Sequence, residues 1–303
     1  MTFDNIQHYL QEHEAQKLTI GKSGADVYDI DGNYILKHVR RELLREKELF
    51  DLYQKESVFY QVINEQNLCC IPKVLVNKRM DDEIVILMKK YQTPLRDCID
   101  ESFLFRVMQA LASVHSCEIP SFLSSLQTAA NPLTTEQIAD CIMGWKKVLN
   151  EHPRFFDDSV IDEVAERIND LIIWHNSTPK VLCHGDFHMD NLLLDTDNTI
   201  IICDWQGVGC GDVSGDLSFF ISRLDSDGIT VDKQHLVDLY AKAVFEKSAM
   251  RVDKDQILGH MYAANTITSF VFWHEYLHNT TKERVKRIYN EMQENFRLSV
   301  RIL

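Results

Sequence analysis

The sequence predicts an α+β fold in two lobes, a small β-rich lobe followed by a larger, mostly helical one. Three observations carry this. At 303 residues the chain exceeds the length at which one hydrophobic core stays comfortable. Up to Met88 the apolar residues come largely in short strand-like runs, and after the segment KKYQTP they recur at helical spacing. A single hairpin pattern, between Asn191 and Cys203, interrupts the helical part. The expected division is 1–88 for the small lobe, 89–94 for the connector and 95–303 for the helical lobe.

From Lys17 to Val39 the runs LTI, GKSGA, DVYDI and YILKHV alternate as strands and turns, and Asp31-Gly32 between two of them is a hairpin signal. From Leu43 to Gln66 the period changes, with Leu44, Phe50, Val58, Tyr60 and Ile63 among many charges, as in one long helix or two shorter ones. Strands are expected at Lys73 to Asn77 and Glu83 to Met88. Helices are expected at Phe103 to His115 and at Val160 to Ile173, the latter opened by a capping box at Ser159-x-x-Asp162. The last hundred residues read as helical and include the aromatic run SFVFWHEYLH.

A formal net charge of −14 counts against a protein that tracks nucleic-acid phosphates with clustered Lys and Arg, and it suits a cationic small-molecule partner. The eight cysteines form no C-x-x-C pair and several lie in apolar runs, so they read as buried thiols in a reducing compartment. No stretch of eighteen apolar residues occurs, and MTFDNIQHYL lacks the basic and apolar regions of a secretory leader. A cytoplasmic protein without membrane spans is expected.

The chemistry concentrates in VLCHGDFHMDNLLLDTDNTIIICDWQ. Asn191 to Asp195 and Thr199 to Cys203 are apolar arms of equal length joined by a polar turn. Folding them about that turn brings Asn191 and Asp204 to the open end, where paired strands lie roughly 5 Å apart and an amide oxygen and a carboxylate can share one hard cation. Asp186 lies in a loop feeding the same end. An acceptor for a hydroxyl beside oxygen ligands for Mg²⁺ is what phosphoryl transfer needs, since that reaction is mostly positioning and charge neutralisation.

HGDFHMDN resembles the catalytic loop H-x-D-x-x-x-x-N of the aminoglycoside phosphotransferase and choline kinase-like superfamily, and Asp204-Trp205 stands where that family has its metal-binding Asp. The resemblance spans roughly residues 15 to 222. It implies a bilobal, protein kinase-like fold, with Asp186 as the catalytic base or hydroxyl-orienting group and Asn191 and Asp204 as Mg²⁺ ligands. His184 and His188 are expected to orient the loop, and Asp216 to cap the helix LSFFISRL.

Residues 21–28, GKSGADVY, resemble the nucleotide-binding loop G-x-S-x-A-x-V-Y of the aminoglycoside 3′-phosphotransferases, which assigns Ser23 to the phosphates of ATP or GTP. Strand alternation puts Ile35 on the same face as Lys37, and the resemblance places the Lys37 ammonium near the phosphates and Ile35 near the base. Glu42, Glu46, Glu48 and Glu56 could each fix the lysine. KESVFYQVI followed by IPKVL matches the family's helix and next strand and selects Glu56, with Glu46 second. IVILMKKY falls at the family's hinge, with Met88 as gatekeeper and the backbone of Lys89 and Tyr91 at the purine edge.

Two departures bear on substrate. Gln206 follows Asp-Trp where many members have an acidic residue, and the C-terminal RLSVRIL lacks the acidic and aromatic tail with which aminoglycoside 3′-phosphotransferases hold their drug. The acceptor is expected to be a cationic, aminoglycoside-like alcohol, with Asp190, Asp212 and Glu275 as acidic contacts. The alternative is a choline or amino-alcohol acceptor, for which Phe270, Phe272, Trp273 and Tyr276 could form a cage, or a sugar-type one. A pseudokinase is a third reading, opposed by the complete set Lys37, Asp186, Asn191 and Asp204. A protein kinase is disfavoured by Gly185 in place of Arg, by Asp-Trp-Gln in place of Asp-Phe-Gly, and by the absence of an A-P-E motif.

Overall fold

The computed structural model describes residues 6–19, 24–66, 68–94, 99–124, 131–152 and 155–303. By its internal contacts the chain divides into two compact units, Met1–Phe122 with His184–Gly209, and Leu123–Cys183 with Cys210–Leu303.

The first unit is built on an antiparallel sheet of order β1-β2-β3-β5-β4: β1 (Ala15–Leu18), β2 (Asp26–Ile30), β3 (Tyr34–Arg40), β4 (Val74–Arg79) and β5 (Glu83–Lys89). The expected turn joins β2 to β3, with left-handed backbone at Asp31 (φ 53°) and Gly32 (φ 68°), which Gly adopts freely and Asp tolerates. Ile30, Leu36, Val85 and Leu87 form the core of one face, covered by Ile6, Tyr9 and Leu10 of helix α1 (Ile6–Glu12). Helix α2 (Leu49–Ile63) packs on β3, β4 and β5 and buries Phe50, Tyr53, Glu56, Phe59, Tyr60 and Ile63. The residues before it, Arg41–Leu43, form a 3-10 turn, so the stretch from Leu43 to Gln66 holds one true helix.

Helix α3 (Glu101–His115) is capped by Asp100, whose carboxylate accepts the Phe103 N–H at 2.7 Å. It packs against the hairpin of β7 (Leu192–Leu194) and β8 (Ile200–Ile202), whose register is Leu192↔Ile202, Leu193↔Ile201 and Leu194↔Ile200. Asp195 N–H donates to the Thr199 carbonyl at 3.0 Å and Cys203 N–H to the Asn191 carbonyl at 2.9 Å. The arms therefore stay paired from the turn to the open end, as the sequence implies.

After α4 (Ser121–Ser124), the second unit holds α5 (Thr135–Asn150), α6 (Ser159–His175), β6 (Val181–Cys183), α7 (Val213–Ser226), α8 (Lys233–Ser248), α9 (Lys254–Thr268), α10 (His274–Tyr276) and α11 (Lys282–Ile302), and β9 (Gly209–Gly211) leads into it. Its core gathers Trp145, Ile168, Phe270, Leu277 and Met292, and the Trp145 indole N–H donates to the Phe270 carbonyl at 3.0 Å. Ser269–Trp273 is π-helical, so the aromatic run is not one regular helix.

Two helix starts differ from expectation. Ser159 is the first residue of α6 and makes no capping box. The helix starts one residue earlier than a Ser159 cap requires, with Asp158 at the cap position, and the Asp157 carboxylate accepts the Ser159 N–H at 3.0 Å. Helix α7 is capped by Asp212, whose carboxylate accepts the Ser214 N–H at 2.9 Å. Asp216 lies within its first turn, buried.

Candidate active site

The loop before β7 is held by its backbone conformation and by two histidines. Gly185 has φ +79°, and a Cβ there would stand 2.2 Å from the Gly207 carbonyl oxygen, so only glycine fits. His184 is fully buried. Its Nδ1 accepts the Asp186 N–H at 3.2 Å, which leaves Nε2–H to donate to the Cys203 carbonyl at 2.9 Å. One imidazole thus joins the Asp186 backbone to the residue before Asp204. His188 Nδ1 accepts the Asp190 N–H at 3.3 Å, and its Nε2 lies 3.4 Å from Asp186 Oδ2.

Asp186 and Asn191 are brought together directly. Asn191 Nδ2 donates to the Asp186 carbonyl at 2.9 Å and lies 3.3 Å from Asp186 Oδ2. Asn191 is buried, whereas the Asp186 carboxylate is 45 % exposed, open to a substrate.

Lys37 reaches both remaining carboxylates. Its Nζ lies 2.8 Å from Glu56 Oε2 and 2.9 Å from Asp204 Oδ1, 4.9 Å above the Tyr53 ring centroid. Burial opposes the ammonium charge, but Glu56 and Asp204 outweigh it and hold the lysine above its ordinary pKa. Burial pushes the Glu56 carboxyl up, only partly offset by Lys37. Burial also opposes the Asp204 carboxylate, yet Lys37 and Gln206 keep it below the usual range and so ionised. Removing Lys37 would leave the buried Glu56 carboxylate without its cation, at a cost of about 3–5 kcal/mol.

Among the four glutamates the sequence offers, Glu56 is the one paired with Lys37. Its Oε1 also accepts the Trp205 N–H at 3.3 Å, and the Trp205 ring stacks on Phe59 at 4.3 Å. Asp204 has left-handed backbone, φ 62° and ψ 66°, uncommon for a residue with a side chain and frequent at functional sites. Gln206, read in the sequence only as a departure, donates from Nε2 to Asp204 Oδ1 at 2.7 Å. Tyr53 under the ammonium was also missed, although its place one turn before Glu56 is a helical signal.

At the other end of β3 and β5, Ile35 pairs with Met88 across the sheet, on the face that carries Lys37. The Lys89 N–H donates to the Lys73 carbonyl at 3.0 Å, and the Lys89 side chain meets Asp195 Oδ1 at 2.5 Å. The Tyr91 hydroxyl accepts the Lys73 N–H at 2.9 Å. Both side chains are thereby engaged by protein groups. Ser23 lies outside the described residues.

The aromatic cage loses one wall. Phe270 is fully buried in the core of the second unit, because the π-helical turn points it inward, while Phe272 and Tyr276 are exposed.

The donors at the end of the hairpin fit Mg²⁺. An ionised carboxylate, Asp204, and a carboxamide, Asn191, stand at the paired ends of the hairpin and offer the hard oxygen donors that Mg²⁺ takes.

The sequence model of the phosphotransferase enzyme family matches residues 15–250. Among solved structures, the ADP-bound aminoglycoside phosphotransferase APH(2'')-Ib is similar with a TM-score of 0.59 at 15 % identity, over 97 % of this chain and 98 % of that one. An ethanolamine kinase from Plasmodium vivax gives 0.58 at 14 % identity, over 97 % and 84 %. Spectinomycin phosphotransferase APH(9)-Ia, in complex with ADP and spectinomycin, gives 0.55 at 13 %, over 98 % and 97 %. These likenesses establish the α+β kinase-like fold. With its model matched over most of the length, the chain belongs to the phosphotransferase enzyme family, as a small-molecule kinase that moves phosphate to a hydroxyl group.

Proposed function

We propose that this enzyme transfers the γ-phosphoryl group of ATP or GTP to a hydroxyl of a cationic, aminoglycoside-like small molecule, with Asp186 orienting the attacking oxygen. The observation that carries the reading is the continuity of the polar site. Asp186 bonds Asn191, the Asn191 carbonyl accepts the Cys203 N–H, and the following residue, Asp204, meets Lys37.

In this account residues 1–88 grip the nucleotide, 89–94 form the hinge, and 95–303 carry the catalytic loop and the acceptor site. Ser23 and Lys37 meet the phosphates, and Glu56 fixes the lysine. Ile35 and Met88 flank the base, whose edge meets the backbone of Lys89 and Tyr91. Asn191 and Asp204 hold Mg²⁺, which when bound offsets negative charge on the phosphates. The Asp186 carboxylate accepts a hydrogen bond from the acceptor hydroxyl and takes its proton as the new P–O bond forms and the bond from the γ-phosphorus to the β–γ bridging oxygen breaks, releasing nucleoside diphosphate. Asn191 and His188 keep that carboxylate aimed, and Gln206 and Lys37 do the same for Asp204. Among the described residues no helix is long and apolar enough to cross a membrane.

An amino alcohol such as choline or ethanolamine is the second reading. The rings of Trp273 and Tyr276 lie 6.4 Å apart at 72°, with Glu275 exposed on the same turn, and such a pair can receive an ammonium group. The test is nucleoside diphosphate release with Mg²⁺, from ATP and from GTP, across aminoglycosides, choline, ethanolamine and simple sugars. Release stimulated by an aminoglycoside is the expected result. Stimulation by choline or ethanolamine alone would transfer the assignment to the second reading, and nucleotide binding without stimulation by any acceptor would favour a pseudokinase.

A further inference from the structure

Strand register places Lys37 of β3, Ile86 of β5 and Asn77 of β4 in one row across the sheet. Residues directly opposed on antiparallel strands project to the same face, so all three face α2. Consecutive residues of α2 take the two ends of the row. Glu56 bonds Lys37, and Ser57 bonds Asn77.

The second of these links is reciprocal. The Ser57 hydroxyl donates to Asn77 Oδ1 at 2.5 Å, and Asn77 Nδ2 donates to the Ser57 carbonyl at 2.7 Å. Ser57 is fully buried, as is Ile86 between the two polar ends of the row. One helical turn on, Arg79 Nη2 donates to Gln61 Oε1 at 2.8 Å, so Asn77 and Arg79 of the edge strand follow Ser57 and Gln61 of the helix along one seam. The buried Ser57 hydroxyl and the half-buried Asn77 carboxamide lose contact with water in this seam, a cost that their mutual hydrogen bonds offset. Apolar contacts such as those of Phe59 and Ile63 tolerate a helix that slides or rolls, whereas this directional pair is satisfied in one seating only.

We infer that Asn77 is a positioning residue for the Lys37–Glu56 ion pair: it fixes the seating of α2 on the sheet and thereby the reach of Glu56 to the lysine. The inference rests on the phosphotransfer reading, since it assigns Asn77 a role in nucleotide binding as well as in stability.

A double-mutant cycle tests it, comparing wild type, Asn77→Ala, Glu56→Gln and the double variant. The readouts are calorimetric affinity for Mg-ATP and Mg-GTP and the melting temperature. Asn77→Ala is expected to weaken nucleotide binding about threefold to thirtyfold, the range for residues that act through a coupled partner. In the Glu56→Gln background it should weaken binding no further, while it lowers the melting temperature in both backgrounds. Ser57→Ala, which removes one of the two bonds, should show the same pattern in milder form, and it carries the cycle if Asn77→Ala does not fold. Wild-type affinity in a folded Asn77→Ala protein, or equal affinity losses in both backgrounds, would overturn the role of Asn77 alone. A wild-type protein that binds neither nucleotide would overturn the phosphotransfer reading and this inference with it.

Discussion

The ammonium nitrogen of Lys37 lies 2.9 Å from Oδ1 of Asp204, across 167 residues of sequence. The lysine proposed for the phosphates and the carboxylate proposed for the metal therefore bond each other directly. Asp204→Ala removes a metal oxygen and one of the two counter-charges on Lys37. It should lower affinity for Mg-nucleotide by at least about tenfold, while affinity for the metal-free nucleotide, measured with a chelator present, changes much less. Equal losses with and without Mg²⁺ in a calorimetric titration would take Asp204 out of the metal site.

Gly185 makes a separate case, because its replacement meets two obstacles. The backbone is left-handed, which costs a residue with a side chain roughly 1–2 kcal/mol, and an added Cβ would collide with the Gly207 carbonyl at 2.2 Å. Gly185→Ala is expected to lose about 2–4 kcal/mol of stability in denaturant unfolding and to lose turnover, because the shift would pass through His184 to Asp186 and Cys203. A variant with unchanged unfolding midpoint and turnover would mean that the loop relaxes without consequence.

A pH prediction follows from the second unit. Burial opposes the Asp212 carboxylate, but contacts with His260 and Ser214 and a hydrogen bond from Thr178 outweigh it and hold the group well below the ordinary carboxylate range. A carboxyl whose pKa is depressed by folding contributes stability that is complete above its unfolded pKa, about 4, and is lost as pH falls below that value. Asp212→Asn should therefore destabilise the protein by about 2–3 kcal/mol at neutral pH and flatten the fall in stability below about pH 4. Melting curves between neutral and acid pH check this, and parallel acid profiles for the two proteins would contradict it.

Much of the first unit was legible because its signals are local. The Asp31-Gly32 turn, the alternation of β3 and the two equal apolar arms around Thr196 to Asn198 each state their geometry within a few residues. The pairing of Lys37 with Glu56 was legible through the likeness of KESVFYQVI to a known helix. What escaped was whatever depends on a distant partner. Asn77 in a strand reads as an exposed polar residue, and only the register of β4 and β5 puts it opposite Ser57. Gln206 carries no periodicity, so its bond to Asp204 could not be anticipated. The caps expected at Ser159 and Asp216 were misplaced because both helices begin further upstream: Ser159 and Asp216 lie inside them, and Asp157 and Asp212 accept the N–H groups of Ser159 and Ser214. Phe270 was misplaced as a cage residue because the π-helical turn rotates the aromatic run away from regular helical spacing.

The most direct measurement is turnover against nucleotide affinity in Asp186→Ala, with the acceptor that best stimulates the wild-type enzyme. The carboxylate lies beside Asn191 and His188 and is proposed to act on the hydroxyl, not on the nucleotide. The substitution should lower kcat by about 10²–10⁴-fold and leave the dissociation constant for Mg-nucleotide close to that of the wild type. A kcat near the wild-type value would remove Asp186 from the mechanism and the proposed chemistry with it.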